Sequence, residues 1–273
     1  MGIFGKTWKI NRVAKGSPDV YYQMGGTIIN ATIDPRITVH SEAGSTQRQL
    51  ASHKVVEAKP VLDFDMNVRR LDDYIIPYGM PSGEAAVPAH TLYVTDGTEH
   101  HDFSSAKVNT CRVRINTTES IRASIQAALK TDAAPSLGTF LYRTEKAMYK
   151  DAVTTLTIEG SPITGWKEIE FGVDNKVMQE CLGTSIPPSE VEEQEAVYSG
   201  HIHRAKPSTS KYATAIAGTP QDLVIALTDK QSSPVTKTFT FADALMKTAK
   251  IEDRALGLVM ERIEWEGSSL VIN

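Results

Sequence analysis

The chain is short of the features that mark most secreted, membrane-bound or catalytic proteins. It has two cysteines, Cys111 and Cys181, in 273 residues, too few for the disulfide framework that staples small secreted domains. Both stand among apolar or small residues, where a buried free thiol is the ordinary state. Aromatic residues are sparse at 7%. The three tryptophans, Trp8, Trp166 and Trp265, are expected as core or interface anchors and not as a platform for stacked bases. No run approaches the roughly 20 apolar residues of a membrane-spanning helix, so no membrane binding is expected. Residues 1–11 (MGIFGKTWKIN) lack the apolar core of a signal peptide, and Lys6 breaks the myristoylation pattern. Synthesis and assembly in the cytoplasm are the expectation. A large charge of one sign is missing too: the formal net charge is -4. That disfavours phosphate-driven nucleic-acid binding, which needs a basic stripe. The charge is uneven, with 18 basic and 15 acidic side chains over residues 1–150 against 11 and 18 over residues 151–273. Polar stacking of subunits would use such an asymmetry, and a solvated acidic face would also produce it.

Catalytic motifs are also missing. The Gly5-Lys6-Thr7 tripeptide lacks the preceding glycine and strand that a phosphate loop requires. There is no GxSxG elbow. Glu190, Glu192, Glu193 and Glu195 follow two prolines, with nothing apolar around them to desolvate a general acid; such a run reads as a solvated loop. His201 and His203 share one face of a strand, and zinc could bind there if His100, His101 or Asp102 supplied a third ligand. Nothing in the sequence brings those segments together. No catalytic, cofactor-binding or metal-binding residue is therefore assigned, and no cofactor or enzymatic activity is expected.

What is present is strand pattern. Hydrophobic residues make up 41% and charged residues 23%, enough to bury a core in one large β domain or two smaller ones. Residues 162–202 organise the chain. Ile169, Phe171 and Val173 alternate with Glu168, Glu170 and Gly172, the period of a sheet with one buried and one wet face. Trp166, Tyr198 and Trp265 join Ile169, Phe171 and Val173 as candidate core or interface anchors. Asp174-Asn175 suits a turn, and residues 196–202 return as a strand.

Other strands are expected over 27–39, 54–68, 91–95, 99–103, 107–116, 153–158, 223–228 and 235–241; residues 121–129 alternate like a strand, but their alanine and glutamine suit a helix as well. A last hairpin, 256–265 with 268–272, turns at Glu266-Gly267. Asp96-Gly97 marks another hairpin. Pro60 argues for an edge strand. Residues 208–217 read as a short helix ending at Gly218, and 140–150 have helical spacing. Residues 241–250 fit a strand extension or a helical turn. Residues 1–26 read as an N-terminal arm, and 41–53 as a long polar loop or extended hairpin tip. The fold expected is mainly β, two packed antiparallel sheets in a sandwich or flattened barrel, with one or two short helices. The β domain is expected over 27–273, with an inserted or duplicated subregion around 70–150. A distant duplication relating the strand pairs in 107–129 and 163–202 is not established by the sequence.

Three segments carry a resemblance. The strand ending IEFGVDNKV, the small-residue patch CLGTSIPP, the acidic SEVEEQE and the strand AVYSGHIHRA resemble the tail tube proteins of tailed bacterial and archaeal viruses. Residues 106–129 (AKVNTCRVRINTTESIRASIQAAL) and the C-terminal LGLVMERIEWEGSSLVIN look like other parts of that family, and the first likeness favours the strand over 121–129. The resemblance implies a structural subunit that forms closed, stacked rings, usually sixfold, whose inner strands join into a continuous barrel for genome delivery. It implies partners among further copies of itself and tape measure, terminator and baseplate proteins, with a sheath protein if the tail contracts. Viral DNA would pass without specific binding. On this reading residues 41–53 order against the adjacent ring with Arg48 as the charged contact; Glu168 and Glu170 are candidates for the channel wall, with the outer surface of the tube as the alternative. Other readings stand beside it: a tail terminator or baseplate hub, a soluble β-sandwich ligand-binding module, and a metal hydrolase using His201 and His203.

Overall fold

Alternation of apolar and polar residues builds the sheets, and two long bent strands tie them together. The computed structural model describes residues 9–14, 20–23, 26–43, 50–71, 79–81, 86–95, 100–133, 139–141, 146–182, 188–205, 212–253 and 259–273. The first strands are β1 (Lys9–Ala14), β2 (Val20–Gln23), β3 (Gly26–Asp34), β4 (Ile37–Ala43), β5 (Leu50–Ala58), β6 (Val61–Val68) and β7 (His90–Thr95). The middle of the chain gives β8 (His100–Asn116), β9 (Arg122–Ala128), β10 (Thr131–Ala133), β11 (Thr139–Leu141), β12 (Val153–Ile158), β13 (Ser161–Pro162) and β14 (Trp166–Asp174). The remaining strands are β15 (Met178–Glu180), β16 (Glu190–Glu192), β17 (Val197–Ala205), β18 (Gln221–Thr228), β19 (Thr236–Asp253), β20 (Val259–Gly267) and β21 (Ser269–Ile272). A short helix, α1 (Tyr212–Ala217), precedes β18, and Gly218 stops it at a positive φ of 61°.

The large sheet is antiparallel, in the order β3-β6-β9-β8-β14-β17-β20-β19. Two smaller sheets continue from it. One runs β13-β12-β18-β19-β21. The other runs β11-β2-β1-β7-β8-β10, with β11 and β2 parallel. Strands β8 and β19 belong to two sheets each. Each switches at a non-glycine residue with positive φ, Ser105 at 62° in β8 and Asp243 at 49° in β19. Such kinks turn a strand out of one sheet and into the layer above it.

The layers close over one apolar core. Leu62, Phe64 and Met66 of β6, Cys111, Val113 and Ile115 of β8, Ile169, Phe171 and Val173 of β14, Tyr198 and Ile202 of β17, and Ile263 and Trp265 of β20 are buried on the inner face. Burying each of the larger of these contributes about 1.5–3 kcal/mol. Phe171 meets Phe239 and Phe241 of β19 at ring distances of 5.1 and 5.9 Å, and Phe241 meets Trp265 at 4.5 Å. Gly200 makes room for this cluster, since a Cβ there would stand 2.6 Å from the Trp265 ring. Trp166 is half-buried and packs against the same core. Burial pushes the Cys111 thiol up to about 12; Cys181, expected as a second buried thiol, is only half-buried.

Several expectations change. The expected last hairpin does not form: β20 pairs with β17 and β19, whereas β21 pairs with β19 alone. The chain crosses layers at Ser268, and the length of β19 lets one strand serve both. Residues 9–14 and 20–23, expected in an arm, are paired strands, and Ile10 is in the core. Residues 1–8 and 15–19 lie outside the described residues. Pro60 does not mark an edge strand: it ends one ladder and precedes another, and β6 lies inside the large sheet between β3 and β9. Of the expected helix over 140–150, the described residues hold strand β11 and one 3-10 turn (Lys150–Ala152). Residues 41–43 and 50–53 pair as the ends of β4 and β5, so of the two readings of 41–53 they follow the extended hairpin and not the loop.

Candidate functional site

The outer face of the large sheet is written by the polar half of each alternation. It presents Asp63 and Asp65 from β6, Arg122, Ser124 and Gln126 from β9, and Arg112 and Arg114 from β8. It continues with Glu168 and Glu170 from β14, Ser199, His201 and His203 from β17, and Arg262, Glu264 and Glu266 from β20. All are partly or fully exposed. The signs fall in stripes along the strands. Acidic β6 lies beside basic β9 and β8, acidic β14 follows, and mixed charge on β20 completes the face.

The stripes are joined by cross-strand ion pairs. Arg114 Nη2 donates to Glu168 Oε2 at 2.9 Å, and His201 Nε2 lies 3.0 Å from Glu168 Oε1. Arg112 Nη1 stands 3.7 Å from Glu170 Oε1, and within β20 itself Arg262 Nε stands 3.0 Å from Glu264 Oε1. Lys247 pairs with Glu266. Partial burial pushes the Glu168 carboxyl up, but the hydrogen bonds from Arg114 and His201 outweigh it and hold the group below its ordinary value. Its stabilising contribution is present at neutral pH and is lost as pH falls through that lowered pKa. The sequence placed Glu168 and Glu170 on the wet face, and there they stand. It did not identify their arginine partners, although Cys111-Arg112-Val113-Arg114-Ile115 alternates as plainly as β14. Among the described residues no group of three or more His, Cys, Asp or Glu side chains is gathered to hold a metal ion.

The second surface is a two-stranded arm. Strands β4 and β5 pair with each other alone among the described residues. Seven residues of β4 reach about 23 Å at strand rise. Ile37, Val39, Val55 and Val56 are exposed on it. A free hairpin is marginally stable in water, and an arm bearing four exposed branched apolar residues is suited to a covering partner. Its root is firmly held. The Arg36 amide donates to Asp34 Oδ1 at 3.0 Å, and Arg36 takes a φ of 42°. From β15, Gln179 Nε2 donates to the carbonyls of Pro60 and Leu129 at 2.8 and 2.7 Å. Residue Arg48 lies in 44–49, outside the described residues.

Elsewhere polar side chains fix the framework. Asn175 is buried; its Nδ2 donates to the carbonyls of Gly79 and Val108, both at 2.9 Å. Lys107 pairs with Glu193, which belongs to the acidic run expected as a solvated loop. Arg204 and Glu261, buried at the other end of the sheet, form an ion pair that the sequence reading missed. The sheet ends in two outer strands: β3 pairs only with β6 among the described residues, and the 245–253 half of β19 pairs only with β20. Helix α1 packs against β19.

The family model described as phage tail tube protein matches residues 27–267. No curated protein is a significant match to the chain.

Proposed function

From the premise that the chain belongs to the phage tail tube protein family, we propose that it assembles with copies of itself into closed, stacked rings that form the tail tube. The observation that carries this is the large sheet: it is eight strands wide, covered on one face, and ends in β3 on one side and half of β19 on the other. Joining β3 of one subunit to β19 of the next would close the sheets into a barrel and remove the exposed edges. The rings are sixfold on this reading, and the uncovered face lines the channel. The arm reaches the adjacent ring, with Arg48, from the segment of sequence between its two strands, as the charged contact. Tape measure, terminator and baseplate proteins are the further partners, and a sheath protein where the tail contracts. Electron microscopy of intact virions tests the proposal. The expected result is density for this chain repeated along the whole tube. Density confined to one end of the tail would make it a terminator or hub, and density outside the tube would overturn the reading.

Glu168 and Glu170 then face the passing genome. Replacing both with lysine also sets them against Arg114 and Arg112, which turns two ion pairs into a basic cluster. Assembly is expected to persist while genome ejection slows, more strongly at low salt, because the retained attraction is phosphate-driven. Ejection kinetics of the double variant provide the measurement. An assembled tube with both side chains on its outer wall rules the channel assignment out.

A further inference from the structure

Arg114 and Arg122 are directly opposite each other in the ladder between β8 and β9. Opposed like charges in a sheet destabilise it. Arg112 is two residues along from Arg114, opposite Ser124. No carboxylate occupies an outward position of β9, or of β8 from Thr110 to Asn116. The three arginines form a basic track across β8 and β9. Carboxylates flank it on both sides, Asp63 and Asp65 on β6 and Glu168 and Glu170 on β14. Each arginine has a carboxylate within reach: Arg114 at 2.9 Å from Glu168, Arg112 at 3.7 Å from Glu170, and Arg122 at 3.1 Å from Glu119. Asp63, Asp65 and Arg112 line one shallow hollow on this face. The arginine side chains are 41–54% exposed. Pairs that open to water contribute little to folding, about 0–1 kcal/mol each. Their arrangement therefore calls for a reason other than stability.

We infer that Arg112, Arg114 and Arg122 form a latent site for duplex DNA, which Glu168 and Glu170 of β14 and Glu119 keep closed, with Asp63 and Asp65 of β6 adding negative charge alongside. A phosphate approaching the track meets a carboxylate already on the guanidinium and further negative charge to each side. Like-charge juxtaposition of this kind excludes a partner that the attractive groups alone would bind. This deepens the channel reading, because a wall built this way neither holds nor strongly repels the genome. The use of the site in a tail rests on that reading, but its existence in the subunit does not.

The test is fluorescence polarisation with a short labelled DNA duplex and the purified 273-residue chain at low salt. The variant E168Q/E170Q is expected to bind at least about tenfold more tightly than the unsubstituted chain, with affinity falling as salt rises. Adding R112Q and R114Q to that variant is expected to remove the gain. Equal affinity of E168Q/E170Q and the unsubstituted subunit overturns the inference, and so does a gain that survives loss of the two arginines. If the double variant unfolds, as circular dichroism would show, E170Q alone serves the same comparison, since it frees Arg112 and leaves the Glu168 pairs intact. Microscopy of the virion is separate from this measurement, so the failure of one reading is distinguishable from the failure of the other.

Discussion

Deletion of residues 41–53 is expected to abolish tube formation and leave a folded subunit. The segment is the outer part of the β4–β5 arm, and its backbone pairs are internal to the arm. The core lies in the sheets beyond the root, among Phe171, Phe239, Phe241 and Trp265. The root keeps its anchors after the deletion, because Gln179, Pro60 and Leu129 hold it from outside the deleted stretch. The thermal midpoint should therefore move little, since an isolated two-stranded ribbon adds little stability of its own. Stacking should suffer most, because the deletion removes the part of the arm beyond Val39 and Val55 and leaves only its root, with Ile37, Val39, Val55 and Val56, to meet a neighbour. Arg48→Ala removes a single charged contact and is expected to weaken tube formation without abolishing it. Negative-stain microscopy after induced assembly, with circular dichroism on the soluble subunit, gives the readout. Tubes of normal length from the deletion variant would show that the arm does not join the rings.

The second large effect concerns folding. Glu261→Leu, or Arg204→Met, alone is expected to destabilise the subunit by about 3–5 kcal/mol. Arg204 and Glu261 are register partners across β17 and β20. Both project to the inner side, with side chains 5% and 0% exposed. Arg204 donates from Nε at 2.8 Å and from Nη2 at 2.7 Å to the same carboxylate oxygen. Removing one member leaves the other charged and buried away from its main partner. Domains of this kind have about 5–15 kcal/mol in total, so a single substitution removes a large share. Replacing both with Met and Leu is expected to restore most of the loss, since well-packed apolar side chains of similar volume often match a buried ion pair. Urea denaturation of the two single variants and the double variant measures the coupling. Additive losses in the double variant would show that the two residues do not act as a pair.

Local pattern was enough to place the strands and their faces. The alternation of Ile169, Phe171 and Val173 with Glu168 and Glu170 fixed which side of β14 is buried, because side chains alternate across any strand whatever it pairs with. Alternation alone left residues 121–129 open between strand and helix, and the family resemblance decided for the strand; N-cap residues and the stop at Gly218 found the helix. The soft family pattern agreed with a model that spans 27–267. Tertiary structure alone decided which strands meet. Nothing near Ser105 or Asp243 in the sequence announces that β8 and β19 bend there into a second sheet, yet those bends give β21 its partner and cover the core. Nothing local reveals that Arg204 points inward at Glu261, because a charged residue inside the inner register is tolerated only when a distant strand supplies its counter-charge. The pairing of Arg112 and Arg114 with Glu170 and Glu168 has the same origin. Periodicity belongs to one strand and is written in consecutive residues. Register belongs to two strands, here more than fifty residues apart, and emerges only when the whole core is packed.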